Sequence, residues 1–148
     1  RTPMQALPHL YTVSGRAEAA SDVSLSAAGL KTLLSAPPAE FGGPGDKWSP
    51  ETLLLASMAD CFILTFKAVA RASHLEWLSL SCEVDGTLEK SDGAVRFTRF
   101  VTRARLEIPE GVSVEVAERL LHKSEKACLI ANSVSGEKVL EAAVSVAT

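Results

Sequence analysis

The hydrophobic positions of this 148-residue chain change period several times. Between His9 and Ser26, Tyr11 and Val13, then Val23 and Leu25, alternate with polar neighbours, and Ala19 to Ser21 has turn composition. Period-two alternation puts one face of a strand inward, so this stretch predicts a hairpin of two short strands. Pro37 to Trp48 holds Pro37-Pro38, Gly42-Gly43 and Pro44-Gly45, which belong in a loop. Ser49-Pro50-Glu51 then opens a helix: a serine cap, a proline at the first position where its missing N–H costs nothing, and a carboxylate at the positive end of the dipole. Leu53, Leu54, Leu55, Met58, Phe62, Ile63, Phe66 and Val69 cover more than one stripe, which predicts a central helix running to about Ser73.

From Leu78 to Leu88 strict alternation returns, with Leu78, Leu80, Cys82 and Val84 on one face. Asp92-Gly93 marks a turn, and Ala94 to Ile108 reads as the returning strand. Its apolar parity slips between Phe97 and Phe100, as a bulge would make it do. Pro109 and Gly111 end that strand. Ser113 caps a second helix with a stripe of Val116, Ala117, Leu120 and Leu121, and Val139 to Val146 supplies a last strand after a break at Ser133 to Gly136. The fold class is α+β in a single domain over residues 1–148.

Composition narrows the chemistry. A chain of this length can hide roughly 70% of its unfolded surface, so no staple is needed. With 47% hydrophobic and 22% charged residues it has the make-up of an ordinary globule. The net charge of −3 gives no positive field for phosphate backbones, and no nucleic-acid partner is expected. The apolar runs around Leu53 to Ala59 and Phe62 to Phe66 fall far short of the roughly 18–20 residues that span a bilayer, so no membrane crossing is expected either. No basic start leads into an apolar signal core, and a reducing cytoplasm is the expected compartment. Cys61, Cys82 and Cys128 are odd in number and widely spaced, which suits neither a secreted disulfide framework nor a CxxC metal site.

Cys61 lies in helical register with Leu54, Met58 and Thr65, and Cys128 follows Ala117, Leu121 and Ser124 along the second stripe. Each points inward, and taken alone each is better explained as a small core residue than by chemistry. Two inward cysteines on different helices can meet in one core, and a pair that meets has redox chemistry that a lone buried thiol lacks. Cys82 sits on the apolar face of a strand and reads as core. His9, His74 and His122 are far apart without close carboxylates, so no metal site is expected. Arg96, Arg99, Arg103 and Arg105 read as a solvated strand face.

The stretch from Gly42 to Leu54, a glycine loop followed by a Pro50-Glu51 helix start, resembles the osmotically inducible protein C (OsmC) family, which includes the organic hydroperoxide resistance (Ohr) proteins. Cys61-Phe62 follows ten residues after Glu51, and Glu125 to Ser133 around Cys128 resembles the second signature. The resemblance runs from about His9 to Val146. It implies antiparallel sheets around a long central helix in an entwined homodimer. It also implies a peroxidase in which Cys61 is the attacking thiolate, oxidised to a sulfenic acid by a hydroperoxide, and Cys128 condenses with it to a disulfide. No bound cofactor is implied; an external dithiol resets the enzyme.

A buried thiol resists ionisation, so the chemistry calls for a cation beside Cys61. The family's arginine and the glutamate that holds it match Arg16 and Glu51. Ten helical residues separate Glu51 from Cys61 by about 15 Å, so one arginine does not serve both comfortably, and a partner from a second chain is expected. Met58, Phe62 and Phe41 are candidate walls of a substrate pocket. Related sequences often place proline after the second cysteine, whereas Leu129 stands here. The competing readings are a noncatalytic member that binds a small apolar ligand or senses redox state, and a structural chain with inert cysteines.

Overall fold

The computed structural model describes residues 4–148. The chain forms two compact units divided at Leu53/Leu54.

The N-terminal unit holds a three-stranded antiparallel sheet, β1 (Ser14–Arg16), β2 (Val23–Ser26) and β3 (Leu33–Ser35), in that order. Ser14 pairs with Ser26 and Val23 with Ser35. The hairpin is the one predicted, but β1 is shorter: Tyr11 and Val13 precede it, 82% and 68% exposed. β3 has no counterpart in the hydrophobic pattern, because three residues are too few to establish a period. After β3 the glycine loop folds back on itself. A Cβ on Gly43 would lie 1.7 Å from Pro37 O, so only glycine fits there.

The first turn of helix α1 (Pro50–Ala72) closes this unit. Ser49 caps it reciprocally: its Oγ accepts from Thr52 N at 3.2 Å, while Thr52 Oγ1 accepts from Ser49 N at 2.9 Å. Met58, Phe62, Phe66 and Ala70, at four-residue spacing, form the buried stripe of α1. At 23 residues, with an 18-residue window of mean hydropathy 1.8, α1 is long and apolar enough by length and composition to cross a membrane. Ser57, Asp60, Thr65 and Lys67 break its apolar runs without lowering the average much, and a core helix with a buried stripe passes the same test of length and composition.

The C-terminal unit holds the second sheet, β4 (Ser79–Ser91), β5 (Ala94–Ile108) and β6 (Glu137–Val146), and helix α2 (Val114–Ala127). β4 and β5 form a long antiparallel hairpin turned at Asp92-Gly93. Thr87 faces Arg99 while Leu88 faces Phe97, which leaves Thr98 as the extra residue; the slipped parity marked this bulge correctly. β6 pairs with β5 in parallel, so this sheet is mixed and not wholly antiparallel. The reason is the α2 crossover, which returns the chain to the end of β5 from which a parallel strand must start.

Ser113 caps α2 by accepting from Val116 N, and Ala117, Leu120, Leu121 and Ser124 form its buried face. That face joins Phe62, Phe66, Ala70, Ala104, Leu106 and Ile108 in the main core. Phe66 and Trp77 meet edge to face at 5.4 Å. A second cluster joins Met58, Phe100, Cys128 and Ala131, with Leu54, Leu55, Cys61 and Val84 packed against it. The arginines of β5 are largely paired: Arg96 with Asp92, Arg99 with Glu137, and Arg103 with Asp85 and Glu83.

Candidate functional site: a thiol pair between α1 and the end of α2

Cys61 and Cys128 meet in the second core cluster. Cys61 is on the fourth turn of α1 and half-buried, whereas Cys128 is the C-terminal cap of α2 and only 2% exposed. Both are free thiols.

Their surroundings push them in opposite directions. Burial works against ionising Cys61, but the N–H of Ile130, the Cys128 thiol, the Thr65 hydroxyl and the N–H of Leu129 outweigh it, and the pKa of Cys61 is lowered. Thr65 Oγ1 lies 3.8 Å from Cys61 Sγ, one turn along α1. For Cys128 burial raises the pKa, the Ala131 N–H opposes that, and the nearby Cys61 sulfur adds to the rise. Of the two, Cys61 is therefore the thiol that ionises first.

The amide donors come from one tight turn. Cys128 is extended (φ −67°, ψ 108°), and the chain then enters a helical turn in which Asn132 N donates to Cys128 O and Ser133 N to Ile130 O. The N–H groups at the start of such a turn lack partners within it, and here they face the sulfur. Within the C-terminal unit, the groups that favour the Cys61 thiolate are thus backbone amides, the Cys128 thiol and a hydroxyl. Thr65 stood in the sequence four residues after Cys61, at helical spacing; the amides had no such signal, because residue identity does not show where an N–H points.

Arg16 is exposed on β1 and pairs with Glu18 at 2.7 Å. Within this chain it is not held by Glu51. Glu51 lines an apolar pocket of about 450 Å³ with Val23, Leu25, Ala36 and Phe41, all in the N-terminal unit. Its buried Oε1 has no hydrogen-bond partner among the described residues.

Cys61 opens onto a groove of about 490 Å³ lined by Ser57, Asp60, Leu64, Thr65, Ala68, Leu129 and Ile130. Leu64 and Leu129 are 58% and 65% exposed, giving the thiolate an apolar approach. Of the expected pocket walls, Met58 and Phe62 are instead core residues beside a small void at Cys128, and Phe41 belongs to the Glu51 pocket. Cys82 is half-buried against the main core, and burial, with a smaller effect of Cys128 and Glu83, pushes its pKa up to about 11. It stays a thiol at neutral pH, as its core reading implies. No three His, Cys, Asp or Glu side chains gather as metal ligands among the described residues.

The site is thus an α+β chain's pair of neighbouring free thiols, one favoured and one disfavoured for ionisation. Residues 43–142 match the family model described as OsmC-like protein, and this chain belongs to that family. It is 30% identical over 112 residues to the uncharacterized protein YmaD of Bacillus subtilis, covering 74% of this chain and 75% of YmaD. Its fold is similar to an OsmC-like protein of unknown function from Vibrio cholerae, with a TM-score of 0.79 at 21% identity over 93% of this chain and 99% of the other. It is also similar to an organic hydroperoxide resistance protein OsmC of Legionella pneumophila, with a TM-score of 0.72 at 26% identity and the same coverage.

Proposed function

We propose that this protein is a thiol-dependent peroxidase that reduces organic hydroperoxides. The observation that carries the reading is the division of labour between the thiols: an acidic Cys61 at the floor of an apolar groove, and a buried, protonated Cys128 packed against it. The Cys61 thiolate attacks the outer oxygen of the hydroperoxide. The O–O bond breaks, Cys61 becomes a sulfenic acid, and the alkoxide leaves and is protonated to an alcohol. Cys128 then forms the S–S bond to Cys61 as the sulfenic oxygen departs as water. An external dithiol returns both thiols by exchange. The Leu64 and Leu129 rim favours an organic peroxide over hydrogen peroxide, because it offers apolar contact and few hydrogen bonds.

The same reading places the protein in the cytoplasm, where dithiol reductants are available, and makes it a homodimer. The orphaned Glu51 carboxylate supports an ion pair made between copies, with Arg16 of one chain leaving Glu18 for Glu51 of the other.

The test is peroxide consumption by reduced protein given cumene hydroperoxide and dithiothreitol. Turnover is expected in the native protein, with loss in Cys61→Ser and trapped sulfenic acid in Cys128→Ser. No turnover, or turnover indifferent to Cys61→Ser, rejects the peroxidase.

A further inference from the structure

Resolution leaves one proton unassigned. Cys128 must lose its S–H proton to attack, yet it is buried and its environment favours the thiol. Solvent does not reach it freely, so a base inside the protein has to be within reach.

Against Cys128 lies a void of about 20 Å³, lined by Met58, Phe62, Phe100, Thr102, Glu125, Cys128, Ala131 and Lys138, none of which lines the Cys61 groove. That volume holds about one water molecule, and its polar lining offers the two or more partners a buried water requires. Only one of its lining side chains can act as a base near neutral pH: Glu125, one helical turn before Cys128. The backbone fixes the pair, because Cys128 N donates to Glu125 O at 3.3 Å. Lys138, entering from β6, is tied by its Nζ to Val134 O at 2.6 Å and Gly136 O at 3.3 Å, so its charge stays at one wall of the void.

We propose that Glu125 accepts the Cys128 proton during disulfide formation, through a water in this void, and that Lys138 stabilises the carboxylate in its basic form. This rests on the reading of Cys128 as the resolving thiol. The step balances: the Cys128 S–H bond breaks, its proton passes to the Glu125 carboxylate, and the sulfur pair forms S–S with Cys61. The group on Cys61 leaves with the bonding electrons; when it is the sulfenic oxygen it leaves as hydroxide, which takes a proton from solvent to become water, and Glu125 later returns its own proton to solvent.

The charged groups that act on Glu125 are His122 and Lys126 from α2; Lys138 from β6 and Cys128 share the void with it, and β5 contributes the neutral Thr102. Burial holds the Glu125 carboxyl above the usual carboxylate range, against the pull of His122 and Lys126, which brings it nearer to the proton it must receive.

The role can be tested without peroxide. Ellman's reagent added to reduced protein forms a mixed disulfide on Cys61 and releases one yellow thiolate; attack by Cys128 releases a second, and Cys128→Ser identifies that phase by abolishing it. Glu125→Gln is expected to slow the second phase at least about ten-fold and flatten its acid limb, leaving the first phase unchanged. Glu125→Asp should recover part of the rate. Lys138→Met provides a separate arm: its acid limb should move to higher pH, because the carboxylate loses a cation. A second phase with native rate and native pH profile in Glu125→Gln, or an unmoved limb in Lys138→Met, overturns the assignment. Failure of the peroxidase reading is a different result, in which the second phase keeps its dependence on Glu125 while cumene hydroperoxide is not consumed.

Discussion

Thr65 Oγ1 stands 3.8 Å from Cys61 Sγ, four residues further along α1. A helix brings residues i and i+4 to the same face, so a hydroxyl there can turn its proton toward the thiolate without any tertiary adjustment. Thr65→Val keeps the β-branched shape and removes the donor. The variant should lose about 1 kcal/mol of thiolate stabilisation, or roughly five-fold in ionised fraction below the Cys61 pKa. Ultraviolet titration of the thiolate measures this, and a curve superimposed on the native one would show that the hydroxyl contributes nothing.

Leu129 contributes to the same thiolate through its backbone, and proline is the one residue that deletes an N–H. Cys128 already has φ −67° and ψ 108°, the extended conformation that a residue before proline prefers. Leu129→Pro should therefore fold, keep the groove and raise the Cys61 pKa, so that alkylation at pH 6 slows about three-fold or more for the loss of one charge-assisted bond. Leu129→Ala retains the amide and should alkylate at the native rate; slowing in both variants would point to the lost side chain instead.

These two donors mark what was legible in the sequence and what was not. Two inward stripes left a meeting of Cys61 and Cys128 open and the family resemblance implied it, whereas the Thr98 bulge followed from slipped parity between Phe97 and Phe100. Helix ends were marked by Ser49 and Ser113 because capping is local chemistry. β3 escaped because Leu33 to Ser35 is too short for a period, and the direction of β6 because pairing partners depend on where α2 returns the chain. The amide donors were hidden for a deeper reason. Side-chain charge is visible in a sequence, whereas an amide becomes a donor only through the turn it sits in, here the one begun by Cys128.

Cys82 sets an alkaline limit on stability. Its folded pKa of about 11 lies above the value it takes when exposed. Between the ordinary thiol range and about pH 11 the unfolded chain releases this proton while the folded chain holds it, so stability falls as pH rises through that window. Below it Cys82 is protonated in both states and costs nothing. Cys128, also raised, acts with the same sign, and Cys61, lowered, with the opposite one. Cys82→Val should leave the urea midpoint at pH 7 close to native and reduce the drop between pH 8.5 and 10.5. An undiminished drop would place the alkaline transition elsewhere.

Gly86 decides how closely α1 can approach β4. A Cβ built there would lie 2.8 Å from Leu55 Cδ2 and 2.8 Å from Phe97 Cε1, closer than carbon atoms pack. Both neighbours belong to the cluster that holds Cys61 and Cys128, so a methyl at this point presses on the site as well as on the fold. Gly86→Ala should destabilise the protein by about 1–3 kcal/mol, the usual cost of overpacking a closed core. Leu55 is the neighbour that can give way, since Phe97 is also stacked on Phe100 at 5.5 Å. The double variant Gly86→Ala, Leu55→Ala should therefore be more stable than the sum of the two single changes predicts, with a coupling of about 0.5–3 kcal/mol in a double-mutant cycle read by urea denaturation. Strict additivity would mean that the strand moves away from α1 to relieve the clash, and then the spacing of the two cysteines should change with it, visible as a slower Cys61–Cys128 disulfide in the single Gly86→Ala variant.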